Sequence, residues 1–186
     1  QPLGTTTKDG YAFAGWYDED DNLVTRIANT QTGDIVLHAR WKEVEAGEAA
    51  YAVLYYEQNR AQDGYNRVDR VTNVGKIGDT VTGEAIERPG FTYDEEKSKE
   101  SASGTITGDG LLELSLYYTR NTYPIHYVLD GGVNGEGNPD TYLYDVMTLL
   151  QDASKEGYLF GGWFEDEAHT KRIRSINTGT IGEVTV

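Results

Sequence analysis

The residues best suited to ligand chemistry in this sequence are tyrosines. There are 14, and Tyr55, Tyr56, Tyr117 and Tyr118 form two adjacent pairs inside apolar, strand-prone stretches. A phenol ring at such a position can stack on a sugar ring or anchor a protein partner, so these four are the candidate ligand contacts. Tyrosine is equally a good strand former whose polar tip suits the edge of a small core, and that reading stays open beside the first. Groups for catalysis are sparse. His38, His126 and His169 are the only histidines and are scattered along the chain. No nucleophile–base pairing or paired acid emerges, so no catalytic residue is assigned and no enzyme is expected.

Metal and phosphate chemistry fare no better. Zinc needs clustered Cys or His, and the chain has no cysteine. Asp18, Asp20 and Asn22 match the first three spacings of a calcium loop, but Leu23 and Asn29 stand where that loop needs Gly and Glu. An exposed acidic hairpin turn is the better reading. Gly75-Lys76-Ile77-Gly78 lacks the P-loop spacing and its Ser/Thr. No cofactor and no metal is expected.

The elements that would position these residues are set by repetition. Lys8 to Trp16 reads KDGYAFAGW, and 147 residues later Lys155 to Trp163 reads KEGYLFGGW, six of nine positions matching. A weaker copy, RPGFTY, runs from Arg88 to Tyr93. Gly10, Gly90 and Gly157 occupy the turn position of each copy, where positive φ favours glycine. Tyr11 and Phe13, like Tyr158 and Phe160, sit two apart on one strand face, and Phe91 holds the first aromatic place of the weak copy. Gly15 beside Trp16, and Gly162 beside Trp163, leave room for a bulge or a close backbone approach. Core packing explains period-two aromatics better than a stacking platform does.

Around this word the chain divides into repeats. Residues 1–43 form the C-terminal part of one repeat, closed by a strand from Gly33 to Trp41 in which Ile35, Leu37, Ala39 and Trp41 share a face. Residues 44–50, charged and free of aromatics, read as a linker. Residues 51–120 form a complete, divergent repeat from YAVLYY to LYYTR, with Leu112, Leu114, Leu116 and Tyr118 on one face. Its EEKSKES run reads as a helical turn or a loop. Residues 121–186 form a nearly complete repeat that lacks its last strand residues. Tyr51 and Tyr123 head equivalent strands 72 residues apart. The opening Gln1-Pro2-Leu3-Gly4, with neither initiator Met nor signal pattern, reads as the start of an excised fragment.

Composition narrows the partners. A formal net charge of −15 argues against nucleic acid or an anionic membrane surface. No apolar run approaches the length of a membrane span.

With these motifs in view, the chain resembles the Listeria–Bacteroides repeat, also called the internalin B-repeat. YVLDGG, KEGYLFGGW, KDGYAFAGWY and the closing HARW carry the resemblance in the first and third units. The middle unit, without Gly-Trp, is similar to the divergent, mucin-binding-protein-like repeats. The resemblance implies a mostly β, α+β architecture of tandem β-grasp-like modules in an elongated array. It further implies a non-catalytic region of a secreted bacterial surface protein, wall-anchored through another part, acting as stalk and adhesion module. Neighbouring repeats of the same chain would be its constant partners, with host glycan or extracellular protein as external ones. A dedicated mucin, glycan or host-protein receptor, or an accessory module of a surface enzyme, is the alternative. An isopeptide crosslink would suit such a cysteine-free stalk, but which residues meet is not legible in the sequence.

Overall fold

A computed structural model describes residues 3–27 and 31–186. It divides into two compact units, Gln1–Ile86 with Tyr93–Thr119, and Glu87–Thr92 with Arg120–Val186. Asn29, the twelfth position of the calcium-loop comparison, lies outside the described residues.

The first repeat contributes β1 (Tyr11–Tyr17), β2 (Leu23–Val24) and β3 (His38–Glu43), joined as an antiparallel sheet in the order β2-β1-β3. Phe13 faces Trp41 and Trp16 faces Ala39, with a register shift between Phe13 and Gly15. That shift is the bulge expected at this glycine. The closing strand starts later than its alternating pattern predicts. β3 begins at His38 because the last rung of β1 joins Tyr17 to His38; Ile35 and Val36 run past it and are exposed.

The middle repeat comprises β4 (Glu48–Gln58), β5 (Tyr65–Lys76), β6 (Thr80–Thr82), β7 (Phe91–Tyr93), the short helix α1 (Glu95–Ser98), β8 (Ser103–Thr105) and β9 (Leu112–Arg120). β4 starts at Glu48, inside the 44–50 stretch read as a linker, because Glu48 to Ala50 pair with Val74 to Lys76. The main sheet has the order β5-β4-β9-β7, and β6 pairs with β8. β4 and β9, the first and last strands, run parallel over seven residue pairs from Tyr51–Leu112 to Glu57–Tyr118. Leu114, Leu116 and Tyr118 are buried together with Val53 and Tyr55. Ala52 and Leu54, on the opposite face of β4, are buried as well, so the central strand is covered on both sides. EEKSKES makes one helical turn, with the Asp94 carboxylate accepting from Lys97 N at 2.9 Å as its cap.

The last repeat comprises β10 (Thr122–His126), β11 (Thr141–Leu143), β12 (Thr148–Leu149), β13 (Trp163–Phe164), β14 (Arg172–Ile173), β15 (Ser175–Ile176) and β16 (Val184–Thr185). Its sheet order is β11-β10-β16, with β10 and β16 parallel. This repeats the middle unit closely: Val53 faces Leu114 in one and Ile125 faces Val184 in the other. Likewise Trp16 faces Val24 and Trp163 faces Ile173. The chain is thus mostly β and built of small repeated modules whose first and last strands lie side by side, as in a β-grasp. Its second core gathers Ile125, Tyr142, Leu150, Trp163, Ile176 and Val186.

Candidate functional site

The repeated word is structural in both strong copies. The Phe13 ring meets Trp16 edge-on at 5.4 Å and Trp41 at 5.5 Å; Phe160 meets Trp163 at 5.2 Å in the same way. Edge-to-face pairs at these distances are favourable beyond their burial. The glycines do the backbone work expected of them: Gly10, Gly90 and Gly157 all have φ between 75° and 80°. The glycines before the tryptophans are more demanding, Gly15 at φ 135° in the β1 bulge and Gly162 at φ 124° just before β13, where no bulge forms. Each indole N–H is committed to a carbonyl, Trp16 to Gly4 O at 2.7 Å and Trp163 to Gln151 O at 2.9 Å. Tyr11 and Tyr158 are instead exposed, each beneath a lysine, Lys8 and Lys155. Phe91 takes the guanidinium of Arg120 against its ring at 4.6 Å.

The four candidate tyrosines separate by strand face. Tyr55 and Tyr118 are core residues, 4% and 1% exposed. The Tyr55 hydroxyl donates to Glu84 O at 3.0 Å, and the Tyr118 hydroxyl accepts from Ile86 N at 2.9 Å. A surface ligand does not reach them. The reason is the period of two: Tyr55 shares a face with Val53, and Tyr118 with Leu114 and Leu116.

Tyr56 and Tyr117 point the other way. They are opposite partners on β4 and β9, and their rings stack at 5.0 Å with 21° between planes. Tyr65 of β5 abuts Tyr117 edge-on at 5.2 Å. The Lys97 ammonium lies 4.8 Å from the Tyr65 ring centre and 5.0 Å from that of Tyr117. This is a half-buried aromatic cluster with a cation against it.

Beside that cluster lies a groove of about 750 Å³, lined by Phe13, Trp16 and Arg26 of the first repeat and by Tyr56, Arg67 and Arg70 of the middle one. The two repeats meet around it: Lys42 Nζ donates to Thr72 O at 2.6 Å, and Thr25 Oγ1 to Val68 O at 3.5 Å. Lys42 Nζ is also 3.2 Å from Asn73 Oδ1, but it is exposed, whereas an isopeptide bond forms in a buried, apolar setting. Tyr65, Lys97, Arg26, Arg67 and Arg70 were not singled out from sequence. Their only signal was the alternation of β5, where Tyr65 and Arg67 lie two apart on one strand face.

The acidic turns are held by their own carboxylates. Asp18 Oδ1 accepts from Asn22 N at 2.8 Å and Asp20 N at 3.1 Å. Asp166 accepts from Lys171 N at 2.7 Å and Thr170 Oγ1 at 2.6 Å. Hydrogen bonds, from Asn22 and from Thr170 respectively, lower both carboxyl pKa values below 3.8. Burial raises the Tyr127 and Tyr142 hydroxyls above 10.0, aided by the charge of Asp140 and by Tyr123 in turn. His126 Nε2 lies 3.4 Å from Glu183, and His169 packs on Phe164. Among the described residues, no three His, Cys, Asp or Glu side chains come together to hold a metal ion.

The repeated word and the side-by-side first and last strands together define a class of small, mostly β repeat. The chain belongs to the Listeria-Bacteroides repeat family, which it matches over residues 1–40 and 123–186. A protein of Evansella cellulosilytica provisionally named a membrane protein is 27% identical over 177 residues, covering 88% of this chain and 24% of that protein. Another from the same organism, provisionally named a Gly-rich membrane protein, is 26% identical over 192 residues, covering 96% of this chain and 20% of that one. The chain therefore spans a fifth to a quarter of the length of these relatives. No solved structure matches it. No helix among the described residues is long and apolar enough to cross a membrane.

Proposed function

We propose that the chain is a load-bearing, non-catalytic stretch of a bacterial cell-surface protein, in which tandem repeats act as a stalk and one repeat face supplies adhesion. The observation that carries this is the β4–β9 pairing. These are the first and last strands of the middle repeat, parallel and in register over seven residue pairs. Pulling on the two ends of that repeat drags the strands along each other, so their cross-strand hydrogen bonds resist together in shear rather than opening singly. β10 and β16 repeat the arrangement over two residue pairs.

Two further features suit such a stalk: membership of this repeat family and the membrane-protein naming of the longer relatives. The repeat boundaries adopted are 1–43, 51–120 and 121–186, the middle one extended back to Glu48 by the start of β4, with anchorage to the wall assigned to other parts of the parent protein. Single-molecule pulling on the whole chain tests the reading. A high-force event should correspond in contour length to the middle repeat and disappear in Leu116→Pro, which removes a backbone N–H on the β4 side of β9. Ser115 N and Tyr117 N donate on the other side, to Ser101 O and Ser98 Oγ. Unfolding of every repeat at uniformly low force would refute it.

A further inference from the structure

We propose that the groove between β1–β2 and the β4–β5–β9 face is a binding site for a saccharide bearing an isolated carboxylate, of the uronic or sialic acid type. The inference names the ligand class of the adhesive face and adds nothing to the load-bearing reading.

Charge is the first ground. The chain carries 16 Lys and Arg against 31 Asp and Glu, yet this one groove is lined by three arginines, Arg26, Arg67 and Arg70, against two carboxylates, Asp69 and Glu113. Of these carboxylates, Asp69 Oδ1 accepts from Arg70 N at 2.8 Å. Arg70 is already engaged, lying 3.6 Å from Glu113 and donating to Thr72 Oγ1 at 2.7 Å. Arg26 and Arg67 make no ion pair among the described residues. Their guanidinium forks match a carboxylate in two-point geometry.

Shape and chemistry supply the second ground. Arg67 is the cross-strand partner of Tyr56, so its side chain rises beside the Tyr56–Tyr117 stack. An aromatic face next to a guanidinium offers a pyranose both its apolar side and a partner for its acid group. Phe13 and Leu23 supply an apolar wall, and Trp16 stands there with its N–H already taken by Gly4 O. A groove of about 750 Å³ lies within the range of small-ligand sites.

The third ground decides between acidic ligands. A net charge of −15 repels a densely charged polyanion, whereas one carboxylate at a local pair of arginines pays little of that penalty. A nucleic acid or a polyacidic peptide is accordingly disfavoured relative to a sugar with a single acid group.

The test is an NMR titration of the whole chain with glucuronic acid and N-acetylneuraminic acid, using glucose and a short glutamate peptide as comparators. At least one acidic sugar should bind with a Kd of about 1 mM, moving the Trp16 indole and Tyr56 resonances. Glucose should bind at least about tenfold more weakly. Arg26→Gln with Arg67→Gln should weaken the acidic sugar about tenfold or more at an unchanged unfolding midpoint, with Arg67→Lys intermediate. Absence of binding by the folded chain at about ten times that concentration would overturn the proposal. So would equal binding of glucose, tighter binding of the glutamate peptide, or acidic-sugar binding indifferent to the double substitution. None of these outcomes changes the force at which the middle repeat yields, so failure here is distinct from failure of the stalk reading.

Discussion

Replacing Trp163 measures how much of the last repeat hangs on the repeated word. Trp163 is 5% exposed and packs in one cluster with Ile125, Tyr142, Leu150, Ile176 and Val186. Its ring meets Phe160 and Tyr127, each at 5.2 Å. Truncating a buried Trp to Ala costs about 3–5 kcal/mol. A repeat of roughly 70 residues has about 4–10 kcal/mol in all, so Trp163→Ala should remove about a third or more of this unit's stability and lower its urea midpoint in proportion. Trp163→Phe separates the hydrogen bond from the packing. It removes the donor to Gln151 O, but that carbonyl keeps a second donor, Asn138 Nδ2 at 3.0 Å. The buried acceptor is not orphaned, and the loss should stay at about 1–3 kcal/mol. The assay is urea unfolding followed by NMR at the Ile125 and Val186 amides, which donate to Asp140 O and His126 O within this unit. A Trp163→Ala midpoint matching the parent, or a Phe variant as damaged as the Ala one, would refute the reasoning.

Further expectations concern the turns and the bulge. Gly15→Ala should destabilise by about 1–3 kcal/mol, because φ 135° is nearly closed to other residues and the new Cβ would clash with Leu23 Cδ1. Gly10→Ala, at φ 75° with open space around it, should cost about 1–2 kcal/mol and less than Gly15→Ala in the same thermal melt. The lowered carboxyls of Asp18 and Asp166 make both turns more stable above the ordinary Asp range near 3.8, with that contribution lost as pH falls through their folded values. Carbon-detected NMR titration should place both below 3.8; ordinary values would show the turns are not held this way. The raised Tyr127 and Tyr142 hydroxyls work in the opposite direction. Their contribution is intact below pH 10 and fades as pH rises through the higher folded values, so ultraviolet titration of the folded chain should show late-ionising phenols.

The sequence carried the local features wherever a single residue type answers a single backbone demand. The turn glycines, the bulge beside Trp16 and the Leu112-to-Tyr118 face could all be read directly. Each follows from sterics or from the strand period, which act within a few residues. The same locality explains the errors. The pattern from Gly33 to Trp41 alternates cleanly, but a strand needs a partner, and β1 ends at Tyr17, opposite His38. The charged 44–50 stretch looked like a linker, yet its last residues pair with β5.

What the sequence determined by itself was the repeat, the strand faces of β4 and β9 and the family, because these are written in residue types at fixed short spacings. The strand expected over Tyr158 and Phe160 does not form, and Tyr11 and Tyr158 face solvent. Tertiary structure alone decided which tyrosines are available. Tyr55 and Tyr56 are neighbours of identical type, and their fates part only because one face of β4 turns to Leu116 and Tyr118 while the other meets Arg67 and the first repeat. It also decided that Arg26 and Arg67, 41 residues apart in sequence, line one groove. Charge attracts over a distance but does not specify which loops close to bring it together; burial of the apolar faces does that, and the arginines are carried along.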